Sequence, residues 1–304
     1  MIINVNEKLN IYRSKGVRIY FFLYDLLPYL NSKWFSPGTN DWFTNWLSII
    51  AMYDGIICSS NDVANQFIEF YKTKNFKRQR SLKLFVQHLG SDFINAYQSK
   101  GIPENSELFL NRLDKRLNFL MVGTLEPRKG HLQVLSSFEK LWLEGIDANL
   151  VIVGKEGWMA EKLINRINNH PEAGRRLFWL KEISDEFLEK IYSLSNCLII
   201  ASEGEGFGLP LIEGARKQIP IIARSLAVFN EIGGEGVYYF SGNECDDLAK
   251  AIKNWILLYQ NNLHPKSDLI PLITWKDSIQ NIKKFLLDEE WTYKIFPDGS
   301  VHKG

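Results

Sequence analysis

Glu205 and Glu213 stand eight positions apart on either side of a glycine-rich turn, Gly206-Phe207-Gly208, which leads into Leu209-Pro210. The apolar run Cys197–Ile200 before the turn reads as a short buried strand, and Pro210 suits the first turn of a helix, where its missing N–H costs nothing. A helix opening there offers unpartnered N–H groups and the positive end of its dipole, which attract phosphate, whereas carboxylates beside a phosphate repel it. The two glutamates are therefore better suited to hydroxyl groups. A ligand with a diphosphate in the middle and a polyol at each end matches that combination, and a nucleoside-diphosphate sugar is such a ligand.

A second stretch has complementary chemistry. Gly123-Thr124-Leu125-Glu126-Pro127-Arg128-Lys129-Gly130 lies between an apolar strand, 117–122, and an amphipathic helix beginning at His131. In open α/β sheets that position is the ligand side, and two adjacent cations there could hold a diphosphate. Taken alone, Arg128 and Lys129 read as ordinary solvated charges, and Glu205 and Glu213 read equally as ligand contacts and as one exposed and one helix-surface glutamate. Two phosphate-competent turns at the carboxyl ends of strands in one half of the chain favour the ligand reading. An incomplete G-x-G-x-x-G, followed by bulky Leu209 and Pro210, argues against a dinucleotide site. No H-E-x-x-H, cysteine pair or D-x-D occurs, so no metal and no cofactor is expected, and the charge of a leaving group falls to protein cations. His131 reads as a capping or packing residue. Asp25, at the end of a buried strand, is either an acceptor-side residue or a turn former.

The elements that position these residues alternate. Apolar runs at 17–24, 55–58, 84–86, 117–122, 150–153, 177–180, 197–200, 220–222 and 237–240 read as strands. Helical periods lie between them at about 40–52, from Ser60 or Asn61 through Phe70, at 131–144 and 159–169, and after Ser184. Two further helices span about 246–260 and 275–288, before an aromatic tail at Trp291, Tyr293 and Phe296. That rhythm calls for doubly wound parallel sheets, an α/β class. Residues 95 to about 115 lack a sustained period, so the expected organisation is a partial N-terminal domain with linker (1–110), a ligand-binding domain (111–274), and a helix with tail packing back toward the first domain (275–304).

Composition sets the outer limits. With 45% hydrophobic and 23% charged residues, 304 residues hold two ordinary folded domains. The net charge of +1 gives no electrostatic case for nucleic acid. Cys58, Cys197 and Cys245 are scattered and odd in number, which favours a reducing compartment. No apolar stretch approaches the ~20 residues of a membrane helix, and a cytoplasmic location is expected. A basic run, Lys72, Lys74, Lys77, Arg78, Arg80 and Lys83 around Phe76, reads equally as a solvated linker and as a peripheral contact with anionic lipid at the inner face of the cell membrane.

The E-x7-E element at 205–213, the Val122–Gly130 loop and Val151-Ile-Val-Gly-Lys-Glu-Gly-Trp158 together resemble the donor half of a retaining family 4 glycosyltransferase of the GT-B fold. Residues 178–186, 221–224 and 274–278 add to the likeness. The chain is most similar to bacterial enzymes building O-antigen and other surface polysaccharides, many of them mannosyltransferases. The resemblance covers residues 117–288 strongly, and more weakly from Tyr20, where Tyr24-Asp-Leu-Leu-Pro28 looks like a later part of an acceptor domain. It implies two Rossmann-like domains, the N-terminal one incomplete, because about a hundred residues of a usual domain are missing from its start. It further implies that Arg128 and Lys129 bind the donor diphosphate and assist its departure. Glu205 would contact the transferred sugar, Gly206, Phe207 and Gly208 would give backbone contacts, and Glu213 would bind the ribose hydroxyls. Gly123, Thr124 and Leu209 complete the donor-binding set, with Asp25 on the acceptor side. The transferred hexose would pass through an oxocarbenium-like state and keep its anomeric configuration, and the acceptor would be a glycan or lipid-linked glycan. Tyr24 departs from the family, which often has His there. Three readings follow: an active hexosyltransferase, with GDP-mannose the best donor; a truncated donor-binding module, inactive alone or completed by a partner chain; and a sugar-nucleotide epimerase.

Overall fold

The computed structural model describes residues 2–74, 76–92, 101–104, 106–113 and 115–304, so part of the irregular stretch expected after residue 95 lies outside the described residues. Contacts divide the chain into two units. The first comprises residues 1–92, 205–207 and 273–304, and the second 93–204 and 208–272. The sequence places its breaks at 110/111 and 274/275.

The first unit opens with α1 (Ile2–Ser14), β1 (Tyr20–Leu23), the single turn α2 (Leu27–Leu30) and α3 (Thr39–Ile50). Then come β2 (Gly55–Cys58), α4 (Asn61–Lys72) and β3 (Leu82–Val86). The second unit contains α5 (Ser106–Leu113), β4 (Leu117–Val122), α6 (His131–Leu143), β5 (Ala148–Val153), α7 (Glu161–Asn168), β6 (Leu177–Leu180) and α8 (Asp185–Ser193). It continues with β7 (Cys197–Ile200), α9 (Leu209–Arg216), β8 (Ile221–Arg224), α10 (Ala227–Gly233), β9 (Tyr238–Phe240) and α11 (Cys245–Gln260). The chain then rejoins the first unit through α12 (Trp275–Asp288), β10 (Tyr293–Ile295) and β11 (Val301–Lys303).

In the second unit six parallel strands run in the order β6-β5-β4-β7-β8-β9. Such strands are buried on both faces, which is why they read as continuous apolar runs. Phe119, Leu150, Ile152 and Ile199 pack with Phe138 of α6 and Trp255 of α11. The first unit has the order β1-β2-β3-β10-β11, the first three parallel and the last two an antiparallel hairpin. The aromatic tail is thus an edge of the sheet: Ile295 is fully buried among Leu82, Leu84 and Phe67. Local capping starts the helices where the sequence expects them. Ser60 Oγ accepts the Val63 N–H at 3.1 Å, Ser184 Oγ accepts that of Phe187 at 3.1 Å, and Thr274 and Asp277 form a capping box.

Not every expectation survives. The expected strand at 17–24 is regular only over β1, and α1, α5 and α10 were not expected; α5 has eight residues and is too short to establish a period. Within the basic run the cations have different partners. Arg78 turns inward, donating to the carbonyls of Ala51, of Tyr53 at 2.7 Å and of Arg80 at 3.1 Å, while Lys72 pairs with Glu69 and Lys83 with Glu289. Among the described residues no helix is long and apolar enough to cross a membrane.

His131 does not cap α6, whose N-cap is Gly130; it is buried, 1% exposed. Burial, with the nearby charge of Lys129, pushes its imidazole from 6.5 down to about 3. The unfolded chain therefore takes up a proton that the folded chain refuses, and the stability conferred above pH 6.5 is lost as pH falls toward 3. Between pH 7 and pH 5 this group alone removes about 2 kcal/mol. A His131→Leu variant is expected to lose less stability than the parent over that interval in urea titrations, giving a flatter pH profile.

Candidate functional site

The second unit gathers its functional residues at the carboxyl ends of β4 and β7. Beyond β4 the chain stays close to β5, with the Gly123 N–H donating to Val153 O and that of Leu125 to Lys155 O, each at 2.9 Å. A 3₁₀ turn, Pro127–Lys129, then brings the two cations to the start of α6. Gly130 closes the turn at φ +75°, and a Cβ there would overlap the carbonyl oxygen of Ala201, just past β7. The two loops are thus in backbone contact, and the Glu203 N–H donates to Arg128 O at 2.7 Å.

The adjacent cations have different surroundings. Arg128 forms a 2.7 Å ion pair with Glu126, whose side chain is nearly inaccessible, and donates to Gly204 O at 3.2 Å. Lys129 carries its methylenes past Gly123, and its charge is felt at Glu213, which it helps keep ionised. Thr124 is exposed beside this loop.

Past the glycine turn, Gly208 is the N-cap of α9, with Pro210 in the first turn and Leu209 partly exposed. Glu213 lies one turn inside, facing a depression of ≈ 370 Å³ between α8 and α9 that Leu188, Tyr192 and Lys217 also line. Burial raises the Glu213 carboxyl above its usual value, and Tyr192, Lys129 and Lys217 counter only part of that rise. The Tyr192 hydroxyl points at Glu213 Oε2 from 3.4 Å. Together these place a cation-bearing loop, an open helix start and a half-desolvated carboxylate in one unit, the set required for a diphosphate with a polyol attached.

Glu205, Gly206 and Phe207 belong to the first unit. A side chain on Gly206 would overlap the Tyr24 carbonyl oxygen and come within 2.8 Å of Asp25 Cβ, so only glycine fits. The Gly206 carbonyl accepts from Ser60 Oγ at 2.9 Å and has Ser59 Oγ at the same distance. Ser59 Oγ also lies 2.7 Å from Tyr24 O, and its one proton serves either carbonyl. The Phe207 ring sits 5.5 Å from that of His88. Asp25 Oδ1 accepts the Leu27 N–H at 2.9 Å, the turn-forming role that the sequence left open beside an acceptor role. The structure therefore assembles Gly123, Thr124, Arg128, Lys129, Gly208, Leu209 and Glu213 in one unit, and Asp25, Glu205, Gly206 and Phe207 in the other.

Sequence reasoning missed Glu126, Tyr192, Ser59, Ser60 as a loop anchor, and His88. Glu126 is adjacent to Pro127-Arg128, yet nothing in the spacing marks it as buried. Tyr192 shares an apolar helix face with Phe187 and Ile191 and reads as core. Among the described residues no group of three or more His, Cys, Asp or Glu could hold a metal ion.

The serotype-specific mannosyltransferase WbdA of Escherichia coli is 43% identical over 277 residues, which cover 90% of this chain and 34% of that protein. The chain thus spans about a third of the length of this relative and of two others of the same name. Among solved structures, an α,α-trehalose-phosphate synthase (UDP-forming) from Burkholderia xenovorans, in complex with glucose-6-phosphate, superposes with a TM-score of 0.66 at 15% identity, over 91% of this chain and 68% of that one. An Escherichia coli structure titled trehalose-6-phosphate, bound with UDP-2-fluoro glucose, gives 0.64 at 15% identity, over 91% and 69%. These likenesses show the fold, and its class is GT-B. The family described as glycosyl transferases group 1 matches residues 105–266, nearly the whole of the unit that carries Arg128, Lys129 and Glu213, and the chain belongs to that family.

Proposed function

We propose that this chain carries the donor site of a retaining, metal-independent hexosyltransferase that moves mannose from GDP-mannose to a lipid-linked surface glycan. The observation that carries the reading is the backbone contact of the two strand-end loops: Gly130 closes on the Ala201 carbonyl and the Glu203 N–H donates to Arg128 O at 2.7 Å, so the Arg128-Lys129 loop and the segment leading to α9 and Glu213 come from adjoining strand ends. A cation for the diphosphate and an acceptor for ribose hydroxyls thereby belong to one binding region. The mannosyltransferase names of the relatives support the sugar.

In this reading Lys129 and Arg128 neutralise the departing nucleotide, Lys129 directly and Arg128 with its charge shared by Glu126. The backbone at Gly123, Thr124, Gly208 and Leu209 approaches the donor, and Glu205, with Gly206 and Phe207, contacts the hexose. Asp25 stands on the acceptor side. As the bond from the sugar to the diphosphate breaks and the acceptor oxygen bonds to the same face, the acceptor's proton passes to the departing phosphate oxygen, so the protein's part is charge stabilisation and positioning.

Incubation with GDP-mannose labelled in the sugar, with and without a lipid-linked oligosaccharide, tests the assignment. Label in the glycan supports transfer. Donor binding without turnover supports a donor-binding module that needs a partner chain. An altered sugar on the nucleotide supports an epimerase. Lys129→Ala is expected to weaken donor binding on the order of tenfold to a hundredfold, the loss of one charge-assisted contact. Unchanged affinity would remove Lys129 from the site.

Glu213 gives a prediction with opposite signs for binding and stability. Its carboxyl is raised by burial, so the protonated form favours the folded state; that contribution is complete below the unfolded value and is lost as pH rises through the folded one. Glu213→Gln should therefore melt at a higher temperature than the parent at pH 7, the gap closing as pH falls toward 4. Nucleoside-diphosphate affinity at pH 7 should fall by about tenfold or more. A variant less stable than the parent at pH 7 would show that the carboxylate is satisfied within the fold.

A further inference from the structure

Arg224 is the last residue of β8, is 6% exposed, and has no part in the chemistry proposed above. Its guanidinium is spent on the backbone and on amides. Nε lies 3.2 Å from Ala201 O and 3.1 Å from Ser202 O, and Nη2 lies 3.1 Å from Ala201 O and also reaches Gln133 Oε1. Nη1 donates to Asn243 Oδ1 at 2.7 Å and to Gly242 O. The group stays charged although burial works against it, and its described acceptors are all neutral oxygens.

What it holds is the platform of the cation loop. β7 ends at Ile200, so the buried carbonyls of Ala201 and Ser202 lie past the regular strand, where an unsatisfied carbonyl is destabilising. The Ala201 carbonyl that Arg224 grips is the one against which Gly130 closes without room for a Cβ. Glu203, two residues on, holds the carbonyl of Arg128, and Gln133 lies in the first turn of the helix that the loop opens. We propose that Arg224 is a positioning residue for the donor diphosphate: by fixing Ala201, Ser202 and Gln133 together, it fixes where Arg128 and Lys129 stand. This rests on the assignment of those two cations to the diphosphate.

Only a planar, five-donor group meets oxygens on three segments at once. Lysine offers a single nitrogen, so Arg224→Lys should recover part of the function and Arg224→Gln little. The test compares both variants with the parent chain in two measurements. In hydrogen exchange, amides of 123–133 and of 201–204 should exchange faster together in Arg224→Gln. In titrations, whichever of GDP, UDP and dTDP binds the parent should bind Arg224→Gln about tenfold or more weakly, while the matching nucleoside, lacking phosphate, should bind within about twofold. Equal weakening of nucleotide and nucleoside, or faster exchange confined to 242–245, would overturn the proposal. If Arg224→Gln does not fold, Arg224→Lys is read by the same two criteria with smaller changes. A parent that binds no nucleotide would refute the donor assignment, and the exchange arm would still decide whether Arg224 holds the loop.

Discussion

The carboxyl end of β7 sets the constraint on which the second unit depends. A parallel strand that stops inside a protein leaves carbonyls with no ladder to join, and buried carbonyls are seldom left unpaired. Here the problem is solved by bringing other segments to the strand end. Arg224 supplies charged donors, and Gly130 brings backbone close enough to exclude any side chain. The cation loop, the strand end and the 242–243 turn are thereby one piece of backbone. A loop held in this way is preorganised, so a ligand that met it would not have to supply the cost of ordering it.

The same economy explains why two neighbouring cations differ. Arg128 faces a buried carboxylate, Glu126, and a carbonyl, Gly204, with the planar fork that suits both. Its charge is largely answered within the fold, and it behaves as a strut with residual positive character. Lys129, on a longer and more flexible stem, carries the charge that Glu213 registers. Adjacent cations thus divide into a rigid anchor and a more adaptable charge.

Legibility followed period and punctuation. β2, β4, β6, β7 and α8 fall where the apolar runs, Gly123 and Ser184 mark them, because buried parallel strands and capped helices leave strong local signals. The hairpin of β10 and β11 did not declare itself, since three-residue strands owe their existence to pairing with β3 and not to propensity. In the candidate site, the residues singled out by spacing could be named from the sequence, while the groups that hold them in place could not. Glu126, Tyr192 and Arg224 act through partners 2, 21 and up to 91 positions away, and no window of sequence contains both ends of the longer interactions. Gly206 lies between: its glycine was visible, but its reason, the Tyr24 carbonyl, appears only in three dimensions.

Hydrogen-bond saturation separates scaffold from site more sharply than burial does. Arg224 and Glu213 are both charged groups drawn out of water, and both have shifted titration because of it. Arg224 spreads its donors over acceptors at ordinary distances, so its desolvation is largely compensated and nothing remains for a ligand to supply. Glu213 has a hydroxyl at 3.4 Å, beyond the usual range of a good O–H···O bond, and two lysines acting through space. A carboxylate kept in that condition costs the fold stability, and hydroxyl donors from a bound polyol would relieve the cost. The contrast between the two residues is therefore one of partners: Arg224 has its acceptors within the fold, and Glu213 keeps acceptor capacity to spare beside a depression between α8 and α9.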